Sequence, residues 1–472
     1  MRLKKISTYD TILYALTAIL LFVLLISHTY NDILATTRHG INFWSILGQG
    51  KFLEFYELNY CPPGNNIYTT FQRCSYNILV YFVFAVWNLP LFLLERFAGM
   101  DVMNNIFCLI YSKMLVVTAA GITVVILKHI LKSLQIPEDR HRLFLYIYGS
   151  SSLLISVVFI TAQYDILSLV FQLLGVWAFI EKKDRQFVFW FAIGFCFKFF
   201  ALIIFLPLLL LRHKKIWTWI KNGACVLFPW VITKLPFTLY TMLVSGGAGS
   251  SVKGEKMAAT KSVSMLISSN VGEYINILVM MYLFLLVWCY LRKPDEKTIQ
   301  IDTVWACFLA YAMFFGLTST YPYWSILMAP FFTLVIAVSP GYLYLNLIIE
   351  AIALAAHVLR CMIRINWCYF GHTLKPMVWP MILEDTAFSG NFNFDGSLIF
   401  NIITFLDHVD VLAVLATIFL AAVCSLAYIS YPKNSPADMC RWNNESACND
   451  VLAIRLGLNA GICLLPILAL FI

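Results

Sequence analysis

Ten side chains and a tryptophan carry most of the chemistry this sequence could perform. Asp32 follows the first apolar run, and Arg38 and His39 come within two helical turns of it. Gln163 and Asp165 close a later apolar run, and Lys198 interrupts another. His357, Arg360 and Arg364 stand at i, i+3 and i+7, so on a helix they share one side. Tyr323 and Trp324 sit in a short aromatic connection. A carboxylate can take the proton of an attacking hydroxyl, and cations can stabilise charge growing on a departing phosphate. The set therefore suits transfer of a group from a membrane-bound phosphate donor. Asp32 is the candidate base, and the other ten residues are candidate substrate contacts. An unperturbed aspartate, with a pKa of about 3.9, is a weak base at neutral pH, so Asp32 either needs partial desolvation to serve or mainly orients the hydroxyl.

The elements that hold these residues are membrane spans. Of 472 residues 61% are hydrophobic and only 12% are charged, about half the usual globular share. A soluble chain of this length cannot cover that much apolar surface. The apolar runs are continuous and about twenty residues long, which excludes a porin-like barrel. We expect an all-α, polytopic transmembrane bundle of roughly 11–13 membrane helices, some re-entrant, with amphipathic helices on the outer surface after the first span. Residues 1–340 form the expected catalytic core, and 341–472 the C-terminal spans with an aromatic outer loop at 362–396. Residues 1–28 read as an uncleaved first span, not as a signal peptide.

The formal charge of +8 does not imply nucleic acid. Lys and Arg fall in short clusters between apolar runs: 2–5, 128–142, 182–185, 212–215 and 292–297. Such clusters stay cytoplasmic. Parity then makes 142–180 an out-and-back pair turning at Thr161–Asp165. Residues 187–211, flanked by two inner clusters, become two half-helices with Phe197-Lys198-Phe199 at the tip. Segment 29–127 must begin outside and end inside, so one of its two apolar runs dips or lies along the surface. Ile41, Phe43, Trp44, Ile46 and Leu47, then Phe52, Leu53, Phe55 and Tyr56, mark the amphipathic stretches. Most of the 13 Cys lie in apolar runs, where they act as small hydrophobes. Cys61 with Cys74, and Cys440 with Cys448, are loop pairs that spacing alone does not join. Lys113, inside a span, reads as a snorkelling side chain. The Gly/Ser stretch 245–251 reads as a linker. The Asn444-Glu-Ser446 sequon falls on the inner side.

These features together resemble the GT-C superfamily of polytopic glycosyltransferases, within it the bacterial mannosyltransferase-like membrane proteins. The resemblance rests on Asp32 after the first span, the amphipathic segment 33–75, Gln163-Tyr-Asp165 before a helix, and Gly194-Phe-Cys-Phe-Lys198 ahead of Leu206-Pro207-Leu208 and Arg212-His-Lys-Lys215. It spans roughly residues 9–340. It implies an inverting hexosyl transfer, for instance of mannose, outside the cytoplasm, with Asp32 as general base. The implied donor is a polyprenyl-phosphate sugar and the implied acceptor a glycan, lipid or wall polymer. The implied location is a bacterial plasma membrane, or an endoplasmic reticulum membrane in a eukaryote. No resident cofactor follows from the sequence. Many members carry paired acids where Asn31-Asp32 offers one, which leaves a divalent metal open. The rival classes are a secondary transporter, which a broken helix with a midplane Lys would suit, and a polysaccharide polymerase or ligase.

Overall fold

The computed structural model describes residues 8–60, 72–244, 270–271, 275–295, 298–318, 321–371, 374–379, 398–432 and 448–471. Within them the chain is all-α apart from three short two-stranded pairings. Seven helices are long and apolar enough to cross a membrane, or up to nine if each of two bent pairs is one span; four shorter apolar helices accompany them. The chain is thus a polytopic helical membrane protein.

In chain order, α1 is Thr8–Ser27, α2 Asn31–Gly48, α3 Ile78–Trp87, α4 Leu89–Ala98, α5 Ile106–Ser133 and α6 Glu138–Gly149. Then come α7 Ser152–Leu154, which runs into a π-helical turn over Ile155–Ile160, α8 Asp165–Ile180, α9 Asp184–Phe197 and α10 Ala201–Arg212. The remainder are α11 Ile216–Val244, α12 Ile277–Leu291, α13 Thr298–Leu317, α14 Ala329–Ala337, α15 Leu343–Arg364, α16 Leu398–His408, α17 Val411–Ile429 and α18 Cys448–Leu468. The Gly/Ser stretch, the sequon, Cys61, Cys440 and most of loop 362–396 lie outside the described residues.

Four of the five basic clusters meet at one end. Ser133, closing α5, donates to Glu181 after α8 at 2.5 Å. Arg212, closing α10, pairs with Asp184, opening α9, at 2.6 Å. Lys214 donates to the Cys289 carbonyl near the end of α12 at 2.8 Å. The contact between Asp184 and Arg212 means that 184–212 enters the bundle and returns. Its break falls at Lys198, an extended residue (φ −154°) between two helices. This is the half-helix pair that charge parity requires.

The awkward segment 29–127 is resolved by a bend of 62° between α3 and α4. Trp87, at the bend, and Tyr111, near the start of α5, donate to each other's carbonyls at 3.0 and 2.9 Å. Tyr111 is two residues from Lys113, whose ammonium reaches the His28 carbonyl beyond the end of α1. The run that forms α3 and α4 therefore stays in the half of the bundle away from the basic clusters, while α5 crosses from Lys113 to Ser133 at the basic end.

The amphipathic segment after the first span is packed into the bundle as α2, with eleven of its residues buried, His39 among them. It is covered by α3, α4 and α5. A Cβ on Gly40 would come within 2.9 Å of the Phe84 backbone, so the α2–α3 crossing needs glycine there. Thr37 and Ser112 share a 2.5 Å hydrogen bond across α2 and α5. In lipid, apolar burial drives helices together only weakly, and small residues with interhelical hydrogen bonds take over. The α8–α9 pair shows the same logic: a Cβ at Gly175 would lie 2.5 Å from the Phe191 ring.

Lys113 is not a snorkel. It is fully buried, and its ammonium donates to the carbonyls of Leu25, His28 and Phe159 at 2.6, 2.6 and 3.3 Å. Those carbonyls belong to the end of α1, to the residue just beyond it and to the π-helical turn. An ammonium has three donors and no acceptor, and here all three find oxygen. The C-terminal helices share one continuous apolar core with the rest, running from Leu13 to Ala469.

Candidate functional site

At the end opposite the basic clusters, three chain reversals converge. The first is the step from α1 into α2. A strand, His28–Tyr30, pairs antiparallel with Leu374–Pro376, and Met377 donates to the Ser27 carbonyl at 2.8 Å. The chain then turns into α2 with Asp32 in its first turn. The second is the turn after the π-helical segment, where Ala162 takes a positive φ of 47°. It delivers Gln163 and then Asp165, the first residue of α8. Both carboxylates thus stand at helix N-termini, where the backbone dipole favours negative charge. The third reversal is the α9–α10 tip with Lys198.

Side chains close the gaps between them. Gln163 Nε2 donates to Asp32 Oδ2 at 2.5 Å. Lys198 Nζ lies 2.9 Å from Asp165 Oδ1 and donates to the Tyr164 hydroxyl at 2.7 Å. Asp32 is within electrostatic range of Asp165. Asp165 is wholly buried and the Lys198 side chain is 10% exposed, while Asp32 is half-buried. The tip itself is braced from below. Ser168 of α8 donates to the Gly194 carbonyl at 2.8 Å, Gln172 donates to Ser168 at 2.9 Å, and Tyr311 of α13 donates both to Gln172 and to the Phe200 carbonyl.

Aromatic rings wall the cluster. Lys198 Nζ sits 4.4, 5.4 and 5.5 Å from the centroids of Tyr164, Tyr76 and Trp324, inside cation–π range. Tyr30 and Tyr323 are 6.1 Å apart, and Asp32 lies in the electrostatic surroundings of both. Tyr76 is set by its backbone: its carbonyl accepts from Tyr56 at 2.8 Å and its N–H donates to Tyr81 at 3.3 Å. Its phenol interacts with Asp32 and with Tyr164. Burial, and then the charges of Asp32 and Asp165, hold that phenol well above its ordinary pKa, so it stays a donor. Three buried polar atoms nearby in the chain, Thr29 Oγ1, Asn31 Oδ1 and Trp324 Nε1, have no hydrogen-bond partner among the described residues. Unpaired buried groups are rare and ask for an explanation.

Six of the sequence-derived residues therefore come together: Asp32, Gln163, Asp165, Lys198, Tyr323 and Trp324. The other five are placed in different contacts. Arg38 forms a two-bond pair with Glu95 at 2.6 and 2.8 Å. His39 is buried edge-on against Tyr81. His357 is buried against Phe419, with its Nε2 3.6 Å from Cys361 Sγ. Arg360 donates to the carbonyls of Gly316 and Thr318 at 2.9 and 2.8 Å, capping α13. Arg364 is exposed in the last turn of α15. Sequence reasoning missed Tyr30 and Tyr76 as members of the site. Their only sequence signal is adjacency, Tyr30 two residues before Asp32 and Tyr76 at the foot of α3.

Among the described residues, no three His, Cys, Asp or Glu side chains gather as a metal site would require. Chemically, the cluster offers one accessible carboxylate, one ammonium neutralised by a second carboxylate, a phenol donor and several aromatic faces. Comparison with protein-family models, curated proteins and solved structures returns no match.

Proposed function

We propose that this protein transfers a sugar, a hexose, from a polyprenyl-phosphate donor to a glycan, lipid or wall-polymer acceptor on the extracytoplasmic face of a bacterial plasma membrane. The observation that carries the reading is the meeting of Asp32 with Gln163 beside the Lys198–Asp165 pair, at the end of the bundle away from the basic clusters. Three separate chain reversals supply these residues, and each is braced by buried hydrogen bonds. Such convergence of ionisable groups in a membrane protein is costly unless used.

In this reading the acceptor hydroxyl attacks the anomeric carbon as its proton passes to Asp32. The bond from that carbon to the phosphate oxygen breaks on the opposite face, giving inversion. The polyprenyl phosphate leaves with the bonding electrons, toward the Lys198 ammonium. Gln163, holding one carboxylate oxygen of Asp32, orients the other toward the acceptor. The aromatic wall of Tyr76, Tyr164, Tyr323 and Trp324 offers faces for sugar C–H groups, and the unpaired Trp324 N–H offers a donor to a hydroxyl.

The test is Asp32→Asn in purified protein, assayed with polyprenyl-phosphate hexoses. Loss of about 10²–10⁴ in turnover is expected for removal of a general base, with the melting temperature retained. Turnover equal to wild type would take Asp32 out of the mechanism.

A transporter is the second reading, favoured by the half-helix pair and its buried Lys198–Asp165 contact. Proteoliposomes separate the two: transport moves solute with no covalent product, whereas transfer yields product without flux. A polymerase or ligase centred on Arg and His is less well served, because His357 and Arg360 are spent on helix packing.

A further inference from the structure

At the basic end, a groove of about 300 Å³ opens between α8 and α9. Its lining is graded along the helices. Glu181, Lys183 and Gln186 stand at the mouth, in and beside the α8–α9 turn. Leu174, Ala178 and Phe189 lie deeper, one to two turns toward the bundle centre. Two indoles form its sides, Trp177 and Trp190. Both are fixed. The Trp177 N–H donates to Ser133 at 3.1 Å, and its ring stacks on His129 at 4.9 Å. Trp190 stacks on Phe171 at 6.1 Å and meets Phe189 edge-on at 4.9 Å.

The charges around the mouth are one-sided. Of the acids, Glu181 accepts from Ser133, and Asp184 is held by Arg212 with His213 3.6 Å away. The Lys183 ammonium lies 6.0 Å from the Trp177 ring, and Lys182, Arg185, Lys128 and Lys132 belong to the same end. Glu181 keeps its charge and offsets Lys183 at the mouth, and the excess of cations comes from the surround, where Lys182, Arg185, Lys128 and Lys132 outnumber Glu138 and Asp139.

We propose that this groove binds one phospholipid of the cytoplasmic leaflet through an anionic phosphodiester headgroup. A polar mouth with Lys183 in it and further cations around it, above an apolar, tryptophan-sided floor, matches the order of headgroup and acyl chain. Neither a free anion nor an apolar peptide would use both halves. The site is distinct from the cluster around Asp32, yet it lies on the same helix pair: α8 begins with Asp165 and α9 ends just before Lys198. A lipid seated in the groove along the inner ends of α8 and α9 touches both helices of the pair that carries that contact.

The full-length protein, released from mixed micelles containing equal phosphatidylglycerol and phosphatidylcholine, is examined by native mass spectrometry. We expect one phosphatidylglycerol retained in preference to phosphatidylcholine. Lys183→Ala, an exposed position, should lower that retention about fivefold, the share of one Lys near an anionic surface. Ala178→Trp, which fills the floor, should abolish it. Glycerol phosphate at millimolar concentration should not displace the lipid. Equal retention of both lipids, unchanged retention in Lys183→Ala, or displacement by glycerol phosphate would each overturn the proposal. Should Ala178→Trp fail to fold, Lys183→Ala and the choice between lipids still decide it. None of these readouts depends on sugar transfer.

Discussion

Two of the buried charged networks among the described residues are built in opposite ways. Near the break between α6 and α7, Arg455 of α18 donates to both carboxylate oxygens of Glu350 of α15 at 2.6 and 2.7 Å. It also donates to Ser150 Oγ at 2.7 Å and to the Ile147 carbonyl at 2.8 Å, and Asn459 reaches the Ser150 carbonyl at 2.8 Å. Side-chain exposure of the ion pair is 1% and 2%. Around Asp32, by contrast, the carboxylate is half-buried, the Lys198 side chain keeps some exposure, and Trp324 has an unspent donor. In the first network each charge is matched and out of reach of solvent, and the atom without a hydrogen-bond partner there, Asn459 Oδ1, is uncharged. The second is open toward one face. Closure identifies glue between helices, whereas open valence at a shared end identifies a place for a ligand.

That contrast can be broken by mutation. The largest effect belongs to the closed network. Arg455→Ala strands Glu350 and should cost about 3–5 kcal/mol, the range for breaking a buried pair. Arg455→Met with Glu350→Leu should recover most of that loss in a thermal melt, together with activity. A silent Arg455→Ala would mean the network is not glue.

The open network should respond differently. Lys198→Met leaves Asp165 buried without its cation and should cost about 1–3 kcal/mol. Adding Asp165→Leu should restore the melting temperature but leave transfer from a polyprenyl-phosphate sugar absent. Recovery of activity in that double variant would erase the distinction between the two networks. The smallest effect is expected at Arg38 and Glu95, whose side chains are 29% and 33% exposed. Arg38→Ala should change stability by less than about 1 kcal/mol, because solvent screens such pairs. A larger loss of activity than of stability there would bring Arg38 back into the site.

Much of the architecture was legible because it is written in periodic and local signals. Basic clusters between apolar runs gave the out-and-back path of 142–180 and the half-helix pair around Lys198, and the contact between Asp184 and Arg212 agrees with it. The positions of Asp32, Gln163, Asp165 and Lys198 at chain reversals were readable for the same reason, since polar residues that end apolar runs mark turns. Helix phase alone misled at α15. His357, Arg360 and Arg364 do share a sequence spacing, but two of them point into the bundle. A helix face says which residues are neighbours and says nothing about which neighbour covers them.

The sequence by itself determined that this chain lives in a membrane as helices, which of its ends are basic, and where its backbone turns back. Those properties follow from transfer energies and charge, summed over windows of a few tens of residues. Tertiary structure alone decided what each buried charge does. Arg455 finds Ser150 from 305 residues away, and Lys113 finds the end of α1 from 88. In a low-dielectric interior a charge is tolerable only beside its partner. The identity of that partner depends on which helices pack together, which no local stretch of sequence contains.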